Sequence, residues 1–150
     1  LATMTNNGLI GADTGFVLAN DIDLSGVSNW IPIGGRNLSV TTDFTFKANF
    51  DGNGYTIFNL KYDNAITGHQ CIGLFGALSG ATIKNVALDN VQIYSTKTYT
   101  GALVGFCRDE SCIYNCFTSG NIMSTAQAGG LVGASNSKSK IKNVRFANFA

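Results

Sequence analysis

Histidine, glutamate and proline each occur once in these 150 residues, as His69, Glu110 and Pro32. A zinc peptidase needs H-E-x-x-H, two histidines one helical turn apart with a glutamate base, so that chemistry is excluded. A serine or cysteine triad around His69 has no support either, because no nucleophile has an evident base beside it in register. Only 13% of the residues are charged and the formal net charge is +1. That argues against a nucleic-acid partner or an anionic membrane held by bulk electrostatics. No apolar run approaches the roughly 18 residues needed to span a bilayer, so no membrane insertion is expected. The first residues, Leu1 to Gly15, lack a basic n-region and a long apolar core, and no initiator Met is present. A processed chain or an excised piece of a longer protein is therefore expected. No segment sustains an apolar 3.6-residue period over three turns; the one short helix candidate, around Leu1 to Met4, would cap one end.

What is abundant is glycine, 18 residues set between β-branched and aromatic ones, a pattern of short strands and tight turns. The glycines belong to a repeat. Gly73–Gly76 (GLFG) returns as Ala102–Gly105 (ALVG) and Gly130–Gly133 (GLVG), with Leu74, Leu103 and Leu131 stepping by 29 and 28. A second marker follows each: Thr82–Asn85 (TIKN), Cys112–Asn115 (CIYN) and Lys140–Asn143 (KIKN), with Thr56–Asn59 (TIFN) read as the same marker one unit earlier. On that reading Asn59, Asn85, Asn115 and Asn143 form one structural column, stepping by 26, 30 and 28. After each marker the residues alternate with period two and end on a turn residue. A unit of this length cannot bury its apolar face alone, so units must stack.

The predicted fold is all-β: a right-handed parallel β-helix, or β-solenoid, of about four coils with repeats of roughly 28 residues and a short N-terminal cap. Residues 1–15 form the cap or lead-in and 16–150 the repeat domain. Its coils are placed at about 16–45, 46–72, 73–100, 101–128 and a partial 129–150. Asparagines stacked at an inward-facing bend would bond to one another between coils. The segment from Arg36 to Thr45 is longer than a turn needs and is expected to project as a loop.

The stretches Phe16–Gly26 (FVLANDIDLSG), Trp30–Gly34 (WIPIG), Phe46–Asn64, Ile72–Ile93 and Thr100–Cys107, followed by GLVG, resemble the GLUG-repeat proteins. They are also similar to the N-terminal repeat region of secreted immunoglobulin-A-cleaving metallopeptidases. The resemblance implies an extracellular or cell-surface β-helix, commonly part of an adhesin-like bacterial protein. The cysteines of the middle unit and the long segment after Gly35 depart from the pattern.

Asp63 and Asp89, each four residues beyond a marker asparagine, would lie about 5 Å apart on adjacent coils and form the weak Ca²⁺ candidate. No other metal, no cofactor and no catalytic residue is expected. Asp21, Asp23 and Asp51 with Asn53 resemble fragments of Ca²⁺ loops but are read as turn-formers. Phe58, Lys84, Tyr114 and Lys142, one residue before each marker asparagine, would form an outward strip able to take a glycan or a protein surface. Arg36 and Phe44 on the projecting loop are a second such surface, and Asn37 heads the N-x-S/T sequon. Cys107 and Cys116 fall at core positions; Cys107–Cys112 is the first disulfide to consider, with Cys71–Cys116 as the remainder. His69 is read as a loop residue between coils. The functional expectation is a non-catalytic, secreted or surface-exposed solenoid for adhesion, ligand presentation or spacing. Its partners would be a glycan, a host or cell-surface protein, or further solenoid repeats. The alternatives are a carbohydrate-active β-helix and a purely structural filament.

Overall fold

The computed structural model describes residues 1–35, 44–64, 69–136 and 138–148. A short helix, α1 (Ala2–Asn6), precedes strands β1 (Gly15–Val17) and β2 (Ile22–Asp23) of a first, partial coil. The next coil holds β3 (Asn49–Asp51), β4 (Thr56–Phe58), β5 (Lys61–Asp63), β6 (Cys71–Ile72) and β7 (Phe75–Ser79). Then come β8 (Thr82–Lys84), β9 (Ala87–Ser95), β10 (Tyr99–Gly101) and β11 (Val104–Arg108). They are followed by β12 (Cys112–Ser124), β13 (Gln127–Gly129) and β14 (Val132–Ser135), and β15 (Lys140–Asn148) begins another coil. Each strand pairs in parallel with its counterpart one coil away, and the result is a β-solenoid of about three turns with partial coils at both ends.

Three parallel sheets form the walls. One runs β6–β10–β13, another β7–β11–β14, and the largest carries β1–β3–β8–β12 with β15 and the strands β2, β4, β5 and β9. From Gly15 the column steps to Asn49, Thr82, Cys112 and Lys140, spacings of 34, 33, 30 and 28 residues. The repeat therefore shortens along the chain.

Alternation decides what goes inside. Phe16, Phe50, Ile83, Ile113 and Ile141 stack in one inward row, each flanked by outward residues. Ile83 and Ile113 are wholly buried, and each such side chain contributes roughly 1.5–3 kcal/mol relative to exposure. Phe46 and Phe75 pack with ring centroids 4.9 Å apart, and Phe50 meets Phe75 edge-on at 5.3 Å. Glycine lets the walls approach one another. A Cβ on Gly105 would lie 2.7 Å from the Gly76 carbonyl oxygen, and one on Gly133 equally close to that of Gly105. At the N-terminal end, Asn6 of α1 donates to the Pro32 carbonyl (3.0 Å) and accepts from the Gly34 N–H (2.8 Å), which ties the helix to the first coil.

The register corrects one marker. Ile57 lies against Leu88 and Phe58 against Asp89, so Asn59 belongs beside Asn90, not beneath Asn85. The true counterpart of Lys84 is Asp51, which puts Gly52 next to Asn85. The string T-I-x-N occurs at two different corners of the coil, because each corner wants an inward isoleucine and then a bend.

Candidate functional site

The bends come first, because they consume most of the side chains that could do chemistry. Asn59, Asn85, Asn90, Asn115 and Asn143 all have φ between 50° and 66°. Asparagine tolerates this left-handed region better than other residues with a Cβ. Their side chains lie on the outer surface and not, as the sequence suggested, at an inward bend. There they bond from coil to coil: Asn143 Nδ2 donates to Asn115 Oδ1 (2.6 Å), and Asn90 Nδ2 to Asn59 Oδ1 (2.8 Å). Asn59 Nδ2 in turn donates to Asp23 Oδ1 (2.8 Å), and Asn85 Nδ2 to Asp51 Oδ1 (3.0 Å). In the row Asn90–Asn59–Asp23 each amide gives its N–H toward the N-terminal side, and a carboxylate, which only accepts, ends it.

Those carboxylates are tuned by this role. The Asn59 amide, helped by Ser25, holds Asp23 below the ordinary carboxylate range. The Asn85 amide does the same for Asp51, with the Asn53 backbone N–H and then Lys84 adding to it. Asp23 Oδ1 also accepts the Ser25 N–H at 2.9 Å, and Asp51 Oδ1 the Asn53 N–H at 2.8 Å. Asp21 Oδ1 accepts the Thr56 N–H at 2.8 Å. All three aspartates thus hold backbone turns or coil-to-coil links. Among the described residues no group of three or more His, Cys, Asp or Glu side chains is arranged to hold a metal.

The paired-aspartate candidate does not survive the register. Asp63 stands against Tyr94, whereas Asp89 stands against Phe58, so the two are not column neighbours. Asp89 instead accepts from the Ser119 hydroxyl at 2.5 Å, and the Asp63 N–H donates to Asn29 Oδ1 at 2.9 Å. The misplacement follows directly from counting four residues on from Asn59.

The outward strip changes membership for the same reason. Lys84, Tyr114 and Lys142 do share a column, but its next member is Asp51 and then Val17, not Phe58. Lys84 Nζ approaches Asp51 Oδ2 at 3.7 Å, so part of its charge is met within the strip. A shallow groove of about 290 Å³ runs along it, lined by Gly15, Asn49 and Thr82 on one side and Val17, Asp51 and Lys84 on the other. A second groove of about 320 Å³ lies elsewhere on the large sheet, over β5, β9 and β12. Its two rows are Lys61–Gln92–Asn121 and Asp63–Tyr94–Met123. Tyr94 is 42% exposed and Met123 64%. The sequence reading missed this face, although the alternation around inward Tyr62 and Ile93 was there to find it. Phe44 lies with its ring against Gly8. Arg36 and the sequon at Asn37 lie outside the described residues.

The cysteines are framework. Cys107 pairs with Leu78 and Cys116 with Val144, both facing the core as their register implied. Burial pushes the Cys116 thiol up to about 11 and raises that of Cys107. Cys107, Cys112 and Cys116 are unbridged in this structure. Cys107 points inward, while Cys112, the partner of Thr82 and Lys140, lies on the outward row beside inward Ile113. Between them Asp109 and Glu110 both adopt positive φ, 55° and 65°, and turn the corner. His69 Nδ1 is buried without a hydrogen-bond partner against Gly35, and burial together with Lys97 lowers its pKa.

Similarity to known proteins covers most of this frame. The chain is 32% identical over 126 residues to a halomucin of Haloquadratum walsbyi, which is 77% of this chain and 1% of that protein. It is 35% identical over 131 residues to an immunoglobulin A1 protease of Streptococcus sanguinis, 85% of this chain and 6% of the protease. The chain therefore spans a small fraction of the curated relatives it matches. No family model matches it. No solved structure matches it either.

Proposed function

We propose that this chain works without catalysis, outside the cell or at its surface, as a rigid solenoid that presents a binding face or spaces other parts of a larger protein. One observation carries the reading: Asp23 closes a row of coil-to-coil amide bonds, Asp51 accepts the Asn85 amide of the next coil, and Asp89 is bonded to Ser119. Those carboxylates are occupied in holding the frame, and no paired acid of the kind glycoside or uronate chemistry requires is assembled from them. Similarity to parts of a halomucin and of an immunoglobulin A1 protease supports the extracellular setting, since immunoglobulin is met outside cells. An adhesin role, in the manner of GLUG-repeat proteins, is the finer form of the proposal.

The face best suited to a ligand is the wall with Tyr94. An exposed ring flanked by Gln92 and Asn121 amides, with Lys61 and Asp63 cancelling in charge, suits stacking and hydrogen bonding to a neutral, hydroxyl-rich glycan or a polar protein surface. The test is an array of glycans and host-surface proteins, run beside a panel of polysaccharides assayed for new reducing ends and unsaturated products. Binding that Tyr94→Ala weakens, with no cleavage, supports the proposal. Cleavage that Asp63→Asn or Asp89→Asn abolishes would instead make this a carbohydrate-active β-helix.

A further inference from the structure

At the bends the outward amides are tied. Asn59, Asn85, Asn90 and Asn143 each donate to a neighbouring coil. Gln92 and Asn121 differ: both are exposed, and neither side chain bonds to a described residue. They stand beside the exposed Tyr94 ring. The charged side chains of this face, Lys61 and Asp63, are of opposite sign and lie two residues apart on β5. β9 is paired on both sides, with β4 and β5 on one and β12 on the other, so this surface is a flank of the coils.

Two hollows adjoin here. One is the groove of about 320 Å³ beside Tyr94. The other, of about 360 Å³, is lined by Ser25, Val27, Ser28, Asn59 and Asn90. Both are also lined by Lys61 and Gln92, so the trough continues past that row from one hollow into the next. Along β9 the outward positions are Asn90, Gln92 and Tyr94, with Val91 and Ile93 buried between them. At the rise of a strand these three cover roughly 13 Å. Asn90 spends an N–H on Asn59, but its carbonyl oxygen accepts from no described residue.

Primary amides donate and accept at once, which matches the paired hydroxyls of a sugar, and an exposed ring offers a face to the sugar's C–H side. The opposite charges of Lys61 and Asp63 give an anionic chain no advantage. The apolar side chains are split, Val27 in one hollow and Tyr94 with Met123 in the other, so no single apolar centre forms to anchor a protein interface. We propose that this face holds an uncharged, unbranched oligosaccharide laid along β9. One sugar ring lies on Tyr94, and the following units cross Gln92 and enter the hollow beside Asn90. The ligand class rests on the presenting role proposed above and narrows it to a neutral glycan chain longer than one sugar.

Titration calorimetry tests it with soluble ladders, disaccharide to heptasaccharide, of glucose, mannose, xylose, galactose and N-acetylglucosamine. Oligogalacturonate serves as the acidic comparison. One or more neutral ladders should bind, with affinity rising about tenfold as the chain lengthens and then levelling. Tyr94→Ala should weaken every length about tenfold. Gln92→Ala changes an exposed side chain that holds none of the coil-to-coil bonds, and should weaken binding while keeping the strand signature in circular dichroism. Ser28→Trp, at an exposed position, fills the second hollow. It should bring long oligosaccharides down to the affinity of short ones and leave the short ones unchanged. Four results would overturn the ligand and leave the non-catalytic reading untouched: no neutral ladder bound, affinity independent of length, preference for oligogalacturonate, or binding unaltered by both Tyr94→Ala and Gln92→Ala. Shortening of a bound ladder, read by chromatography of the same samples, would instead overturn the non-catalytic reading and support the ligand class.

Discussion

Asn115 shows at the scale of one residue how the frame is held. Its backbone sits at φ 54°, where a β-carbon is normally penalised, and its side-chain oxygen accepts the Asn143 amide at 2.6 Å. Asn115→Ala should therefore lose both contributions, about 2 kcal/mol in chemical denaturation, while Asn115→Gly keeps the bend and loses only about 1 kcal/mol. No loss in Asn115→Gly would mean that the amide row contributes nothing, and equal losses in the two variants that the left-handed bend costs nothing. Asp51 makes the matching prediction in pH. Its folded pKa lies below the ordinary 3.8, so its contribution is present above that value and disappears as pH falls through the folded pKa. Melting temperature should drop on acidification below about pH 4, and Asp51→Asn, read in parallel melts, should flatten that drop. An acid limb identical in the variant and the unaltered chain would show that the carboxylate's bonds to Asn85 and Asn53 are immaterial.

Strands and turns obey a stricter geometry, set by how closely coils approach. Gly105 has the Gly76 carbonyl oxygen and the Ile72 nitrogen 2.7 Å from where a Cβ would stand. Gly105→Ala must push β11 away from β7, and a loss of about 1–3 kcal/mol or more is expected in equilibrium unfolding. Unchanged stability would mean that the coils are not packed at this distance. The same elements explain what sequence could and could not reveal. The leucine and glycine markers were legible because they report a local need that recurs once per coil: an inward apolar side chain beside a close approach. The core positions of Cys107 and Cys116 followed from them. Thr56–Asn59 was misread because an inward isoleucine followed by a left-handed bend is required at more than one corner. Asp63, Asp89 and Phe58 inherited that error. The groove around Tyr94 was overlooked because nothing marks an outward row until the neighbouring strands are known.

At the scale of the whole molecule the stacked coils make a rod. The first coil is tied to α1, and the walls beyond it are cross-linked by amide bonds from coil to coil. A rod of this kind resists slippage only if every coil keeps one register, and the shortening steps along the column make a wrong register conceivable from sequence alone. Rigidity and the presentation of the Tyr94 face both depend on that register. Paired cysteine substitution measures it. Column neighbours in adjacent parallel strands fall within disulfide reach. Under mild oxidation, Asp51→Cys/Lys84→Cys should form a bridge detectable by non-reducing peptide mapping, and Phe58→Cys/Lys84→Cys should not. Efficient bridging of the Phe58 pair, with none in the Asp51 pair, would contradict the stacked arrangement described here.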